Sequence, residues 1–192
     1  MNRKYILWIT QTALLIAMVV ATQAAFGSSQ FVTGSIVNFI LVAATILAGV
    51  SSGVVVGIIS PVMSFIIIGR PVFPVLLPFI ALGNFVLVVA VYLISVKSYE
   101  NLDIIAYARM GAAAVAGSVL KFLVLFIGIV RIAVPFLIPG ILPPQTAMLS
   151  HTFSWPQLVT ALIGSIIAMV VMPRLAQALR FNGGGKTHII AK

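Results

Sequence analysis

Long apolar runs alternate with short polar or proline-rich breaks along the chain, and six of the runs approach or exceed the length of a membrane crossing. They extend from Tyr5 to Phe26, Gly34 to Val50, Gly53 to Ile68, Phe73 to Val96, Asp103 to Ile129 and Gln157 to Leu179. A helix needs about 20 apolar residues to cross the hydrocarbon layer, and about 17 at the least. The second and third runs sit at that lower limit, with only Ser51 and Ser52 between them. This predicts a tight helical hairpin, or two helices that do not both reach the far surface. The whole pattern predicts an all-α integral membrane protein: a six-transmembrane-helix bundle forming a single membrane domain over residues 1–192.

The breaks divide into two sets. On one side lie residues 27–33, which are uncharged, residues 69–74, and the long stretch 130–156 with five prolines. That stretch reads as a loop, yet it is apolar (Val134-Pro-Phe-Leu-Ile-Pro139), so it is expected to pack over the helices as a lid or plug. The start, with Arg3-Lys4 before an apolar run and small residues from Ala21 to Ala25, has the outline of a signal peptide. The run is long for one, and five more spans follow.

Composition narrows the class. Hydrophobic residues make up 62% of the 192 and charged residues 7%, whereas a soluble domain has about 45–50% and about 25%. The eleven Lys and Arg outnumber the two acids, for a net charge of +9. These cations are scattered singly beside apolar runs and not clustered on a polar face, which argues against a nucleic-acid partner. Their distribution sets an orientation. With the N-terminus inside, Arg3, Lys4, Lys97, Arg174, Arg180, Lys186 and Lys192 fall on the cytoplasmic side and Arg70 outside. Arg109, Lys121 and Arg131 lie in or at the ends of the fifth run. Both termini are therefore expected in the cytoplasm, with Glu100 and Asp103 in a cytoplasmic connection.

Polar residues inside the spans are costly unless paired or facing a cavity. Asn38 and Asn84 suit interhelical hydrogen bonds or a ligand, since each amide offers a donor and an acceptor. Gln11, Gln23, Ser60 and Ser64 also lie within spans, and Gln157 and Thr160 open the last span. Lys121 is the most informative. It lies 18 residues beyond Asp103, about 27 Å along a helix, which places it in the outer third of the membrane. It either snorkels outward or lines an outward-facing pocket. No acid in a span is available to pair with it, so a carboxylate or another anionic group on a ligand would fit. Arg131 shares that possibility at the interface, and Trp155 suits either an interfacial belt or stacking on an aromatic ligand. Pro61 and Pro78 are expected to interrupt helices and free backbone carbonyls. On the first span Ala13, Ala17, Ala21 and Ala25 recur every fourth residue, a small-residue face suited to close packing inside the bundle or against a partner helix.

Other chemistries lack their residues. There is no phosphate-binding Gly-Lys loop before a helix; Gly183-Gly-Gly-Lys-Thr187 has no strand ahead of it. There is no cysteine, His151 and His188 have no metal-ligand partners at useful spacing, and no nucleophile–base–acid set is visible. The reading is of a non-enzyme with no cofactor and no metal. The absence of acids within the spans weakens a proton- or sodium-coupled carrier.

Taken together, the length, six spans and alanine ladder Ala13-x-x-x-Ala17-x-x-x-Ala21 resemble the substrate-binding S component of an energy-coupling factor transporter, a bacterial vitamin uptake system. The segments Thr33-Gly-Ser-Ile-Val-Asn38, Pro78-Phe-Ile-Ala-Leu-Gly-Asn84 and Trp155-Pro-Gln-Leu-Val-Thr-Ala161 also resemble that family. The resemblance implies a multi-pass protein of the bacterial cytoplasmic membrane that binds a scarce vitamin under a lid of outer loops. It implies docking through the ladder on a T subunit, with two ATPase subunits supplying energy. Substrate contacts are then expected at Asn38, Asn84, Lys121, Arg131, Trp155, Gln157 and Thr160. Pantothenate suits Lys121, and a pyrimidine or vitamin B6 compound suits the amides nearly as well. A self-sufficient secondary transporter or channel and a ligand-free structural subunit are the competing classes.

Overall fold

A computed structural model describes residues 3–95 and 103–182, with side chains as far as Leu175. Lys97, Glu100, Lys186, His188, Lys192 and the glycine run at 183–185 lie outside the described residues, as does the side chain of Arg180. The helices are α1 (Arg3–Phe26), α2 (Gln30–Ala48), α3 (Val50–Ile68), α4 (Leu77–Ser95, entered by a 3-10 turn at Pro74–Leu76), α5 (Ile104–Leu125), α6 (Pro143–Thr152) and α7 (Trp155–Asn182). From Phe126 to Leu137 α5 continues as a π-helix. Six of these helical stretches are long and apolar enough to cross a membrane, and the described residues contain no strand. The protein is a multi-pass helical membrane protein.

Local chemistry sets the ends. The hinge between α2 and α3 is the single residue Gly49, whose φ of 89° excludes most side chains, so the break falls two residues before Ser51-Ser52, which belong to α3. Gly69, in left-handed conformation, closes α3: its N–H donates to Phe65 O and that of Arg70 to Ser64 O. At the start of α5 the Asp103 carboxylate accepts from the N–H of Ala106 at 2.6 Å.

Two expectations are corrected. Pro78 does not interrupt α4: it is the helix's second residue, where no intrahelical donor is required. The stretch 130–156 is mostly helical, not a loop. Pro143 and Pro144 open α6, Pro156 stands second in α7, and Pro135 lies within the π-helical continuation. Three of the five prolines there therefore mark helix starts and not breaks.

The core is built around α2, which packs against α1, α3, α4 and α7. Leu41, Ala44, Ile46 and Ile40 are fully buried there, meeting Val56 of α3, Leu87 and Val88 of α4 and Met172 of α7. A second cluster of Leu76, Leu125, Ile129, Val134, Leu149 and Phe153 fixes α6 against the π-helical segment. Because the helices alternate in direction, the connections at 27–29, 69–76 and 138–154 gather at the end of the bundle away from Arg3, called here the distal end.

Candidate functional site

Under the distal connections lies a cavity of about 450 Å³, within the range of small-molecule sites. All three connections contribute to it: Gly27 from the first, Arg70, Pro71 and Val72 from the second, and Met148, Leu149 and Thr152 of α6 with the following Phe153 from the third. Its floor is polar, formed by Asn38, Asn84, Lys121, Ser60 and Gln23. Its walls include Val37, Ile68 and Ile80.

The floor follows from two backbone features. An α-helix pairs the N–H of residue 61 with the carbonyl of residue 57, but Pro61 has no N–H. The freed Gly57 carbonyl accepts instead from Asn84 Nδ2 at 2.9 Å. Glycine at 57 permits the approach, since a Cβ there would stand 3.1 Å from that of Asn84. With its nitrogen engaged, Asn84 turns its oxygen to Lys121 Nζ at 2.6 Å. Asn38 Oδ1 accepts from the same Nζ at 2.6 Å. Gly164 of α7 supports Asn38 from behind: a Cβ there would lie 2.7 Å from Asn38 Cβ and 2.5 Å from Ser35 O.

Lysine only donates, so both amides must present oxygen to it. An ammonium has three donors, of which two are spent on these carbonyls. Lys121 is 4% exposed and does not snorkel to the surface. No acid faces it among the described residues: Asp103 caps the far end of α5.

Gln23 adds a second directed group. Its Nε2 donates to Ser60 O at 3.0 Å and Ser60 Oγ at 3.2 Å. A backbone carbonyl only accepts, so the amide nitrogen must face Ser60 and the oxygen must point away. That Oε1 is buried and has no hydrogen-bond partner among the described residues. Arg70 lies at the mouth, where its guanidinium donates to Gly27 O at 3.3 Å.

The roof is pinned. Thr152 is the last residue of α6, and its carbonyl, one of the helix's unpaired four, accepts from Gln30 Nε2 at 2.7 Å and Gln157 Nε2 at 3.4 Å. Trp155 meets the rings of Phe31 and His151, each at 5.8 Å between centroids.

Of the residues expected to contact substrate, Asn38, Asn84, Lys121 and Gln157 line one cavity. Thr160, buried, packs against Gly34, and its hydroxyl donates to Gln157 O, so it sits behind the wall. Trp155 is half exposed and Arg131 lies over the Phe126 ring beside a separate, open depression between the π-helical segment and α6. Neither reaches the main cavity. Gln23, Ser60 and Arg70 join the site although sequence reasoning did not place them there. The signal was present for Gln23: it stands two residues beyond Ala21, about 200° around the helix, opposite the alanine ladder.

Ala13, Ala17 and Ala21 are all exposed, while Thr12, Leu15, Val19 and Gln23 form the buried face of α1. The ladder therefore does not serve packing within the bundle. Thr12 and Gln23, which bond to Ser52 and Ser60, hold α1 to α3 at two levels. No protein-family model, curated protein or solved structure matches this chain.

Proposed function

We propose that this protein is the solute-binding membrane subunit of an ATP-driven importer, an S component of the energy-coupling factor type in a bacterial cytoplasmic membrane, which takes a small water-soluble vitamin or precursor. The observation that carries the reading is the roofed cavity of about 450 Å³ with a polar floor set deep among the helices. Asn84 lies seven residues into α4, about 10 Å below its distal end. Buried polar groups at such depth, facing a cavity, are the mark of a ligand or transport path.

Charge supports the distal end as the outer one, because the two cations Arg70 and Arg131 lie there against seven assigned to the opposite side. The exposed ladder supports a partner helix. Small side chains let helices approach closely in lipid, where packing drives association. The proposed partners are a T subunit, docking on Ala13, Ala17 and Ala21, and two ATPase subunits, since the sequence carries no nucleotide-binding loop.

Ala17→Trp tests this. The bulky indole on the exposed face should abolish uptake and co-purification with the energising subunits, while a solute bound by the purified chain stays bound. Normal transport by Ala17→Trp would sink the docking claim. Ion-driven uptake by the chain alone in liposomes would show a self-sufficient transporter instead.

A further inference from the structure

We infer that the cavity selects a small carboxylate-bearing solute, seated with its anionic group at the floor against Lys121 and with a hydroxyl or N–H group donating to Gln23 Oε1. The inference rests on the reading of the cavity as a solute site and goes beyond it by naming the polarity and orientation of what enters.

Three observations carry it. First, the two charged residues that line the cavity among the described residues are both cations, Lys121 at the floor and Arg70 at the mouth. A buried ammonium held only by neutral carbonyls is solvated less well than one with a counter-charge, and its third N–H remains to be used. An anionic group on the solute supplies both charge and acceptor. Second, Asn38 and Asn84 both turn their oxygens to Lys121, so any further donor reaching either oxygen would lie beside the ammonium, which disfavours a cationic end there. Third, Gln23 Oε1 is a buried acceptor with no donor among the described residues, and Gln23 lines the same cavity. Its nitrogen is fixed on Ser60, so the amide cannot flip to relieve this without losing two bonds. The solute that fits is amphoteric in hydrogen bonding: an acceptor anion at one point and a donor at another, with an apolar middle against Val37, Ile68 and Ile80. Arg70, exposed at the mouth, favours approach of an anion. A neutral pyridoxine-like ring would leave Lys121 uncompensated.

The test uses matched probes on the purified full chain in detergent, read by thermal shift and equilibrium dialysis. One series pairs hydroxylated or acylamino monocarboxylates with their neutral counterparts, pantothenate against pantothenol among them. A second series has carboxylates without a donor, hexanoate and oleate, which also separates a soluble solute from a lipid-derived one. Pyridoxine serves as the uncharged aromatic probe.

At least one hydroxylated or acylamino carboxylate should bind, with its neutral counterpart weaker by about 10- to 100-fold, the range of a charge-assisted hydrogen bond. Hexanoate should bind more weakly than the donor-bearing acids. Lys121→Met should remove the preference for the carboxylate. If that variant fails to fold, the wild-type pairs alone decide. Equal binding of the neutral member, or tight pyridoxine binding that Lys121→Met leaves unchanged, overturns the inference and leaves the importer reading standing. Tight binding of oleate above all others overturns the soluble-solute assignment. Binding by no probe in any series overturns the cavity's role as a solute site, and with it both readings.

Discussion

Lys121 organises the site at the scale of single side chains. Its ammonium holds two amide oxygens that come from different helices, Asn38 on α2 and Asn84 on α4. The bonds are reciprocal in need: a buried charge requires acceptors, and buried carbonyls require donors. Removing one acceptor should therefore cost more than removing the charge as well. Asn38→Leu is expected to destabilise the empty protein by about 1–2 kcal/mol. Adding Lys121→Met to Asn38→Leu should recover part of that loss, because the group that required the acceptor is gone. Thermal unfolding of the single and double variants in detergent gives the coupling directly. Strictly additive losses would mean that the contact carries no energy. The three residues were individually legible as polar groups in apolar runs. Their meeting was not, because Asn38 and Lys121 are 83 residues apart and Asn84 and Lys121 are 37 apart, and only packing sets which faces converge.

Helix α3 shows how an element transmits geometry to the site. Pro61 leaves the Gly57 carbonyl without its helical donor, and Asn84 of α4 supplies one. A backbone defect in one helix thus fixes the rotamer of a side chain in the next, which in turn aims an oxygen at Lys121. Asn84→Leu should be more damaging than Asn38→Leu, since it strands the Gly57 carbonyl as well as reducing the acceptors of Lys121. Pro61→Ala should rescue part of that damage, about 1 kcal/mol, because the restored N–H can close the helical bond to Gly57. The rescue should be absent in the wild type, where Asn84 already fills the position. Equal gains from Pro61→Ala in both backgrounds, measured by thermal unfolding, would show that the proline acts through the helix alone. That Pro61 frees a carbonyl is readable from sequence; that Asn84 answers it depends on glycine at 57, where the close approach is visible only in three dimensions. Helix α6 was hidden for the opposite reason. Its sequence, Pro-Pro-Gln-Thr-Ala-Met-Leu-Ser-His-Thr, is short and carries no apolar periodicity, and its prolines sit at the two positions where a helix tolerates them.

Considered whole, the molecule is a bundle whose crossings are legible from hydrophobicity, because a lipid environment forces every span to satisfy its own backbone and so to announce itself as a long apolar run. The closure of one end is a tertiary property that no run records. Residues from α2 and α7 reach over to α6: Gln30 and Gln157 share the Thr152 carbonyl, and Trp155 lies against His151. Leu149 and Phe153, buried on the π-helical segment, also line the cavity, so the roof belongs at once to a hydrophobic cluster and to the site. If solute enters beneath α6 and not past Arg70 at the mouth, α6 and the start of α2 must separate, which breaks the Gln30–Thr152 bond. The chain has no cysteine, so a pair introduced at Gln30 and Thr152 would be the only thiols present. Bridging them with a short, reducible bis-methanethiosulfonate linker should stop exchange. Protein loaded with pantothenate before bridging should retain it through dialysis, and protein bridged empty should take up none. Reduction should restore both exchange and uptake. Exchange that is equally fast with and without the bridge would mean that solute passes beside Arg70 or between helices and not beneath α6, and that the roof is a fixed part of the fold.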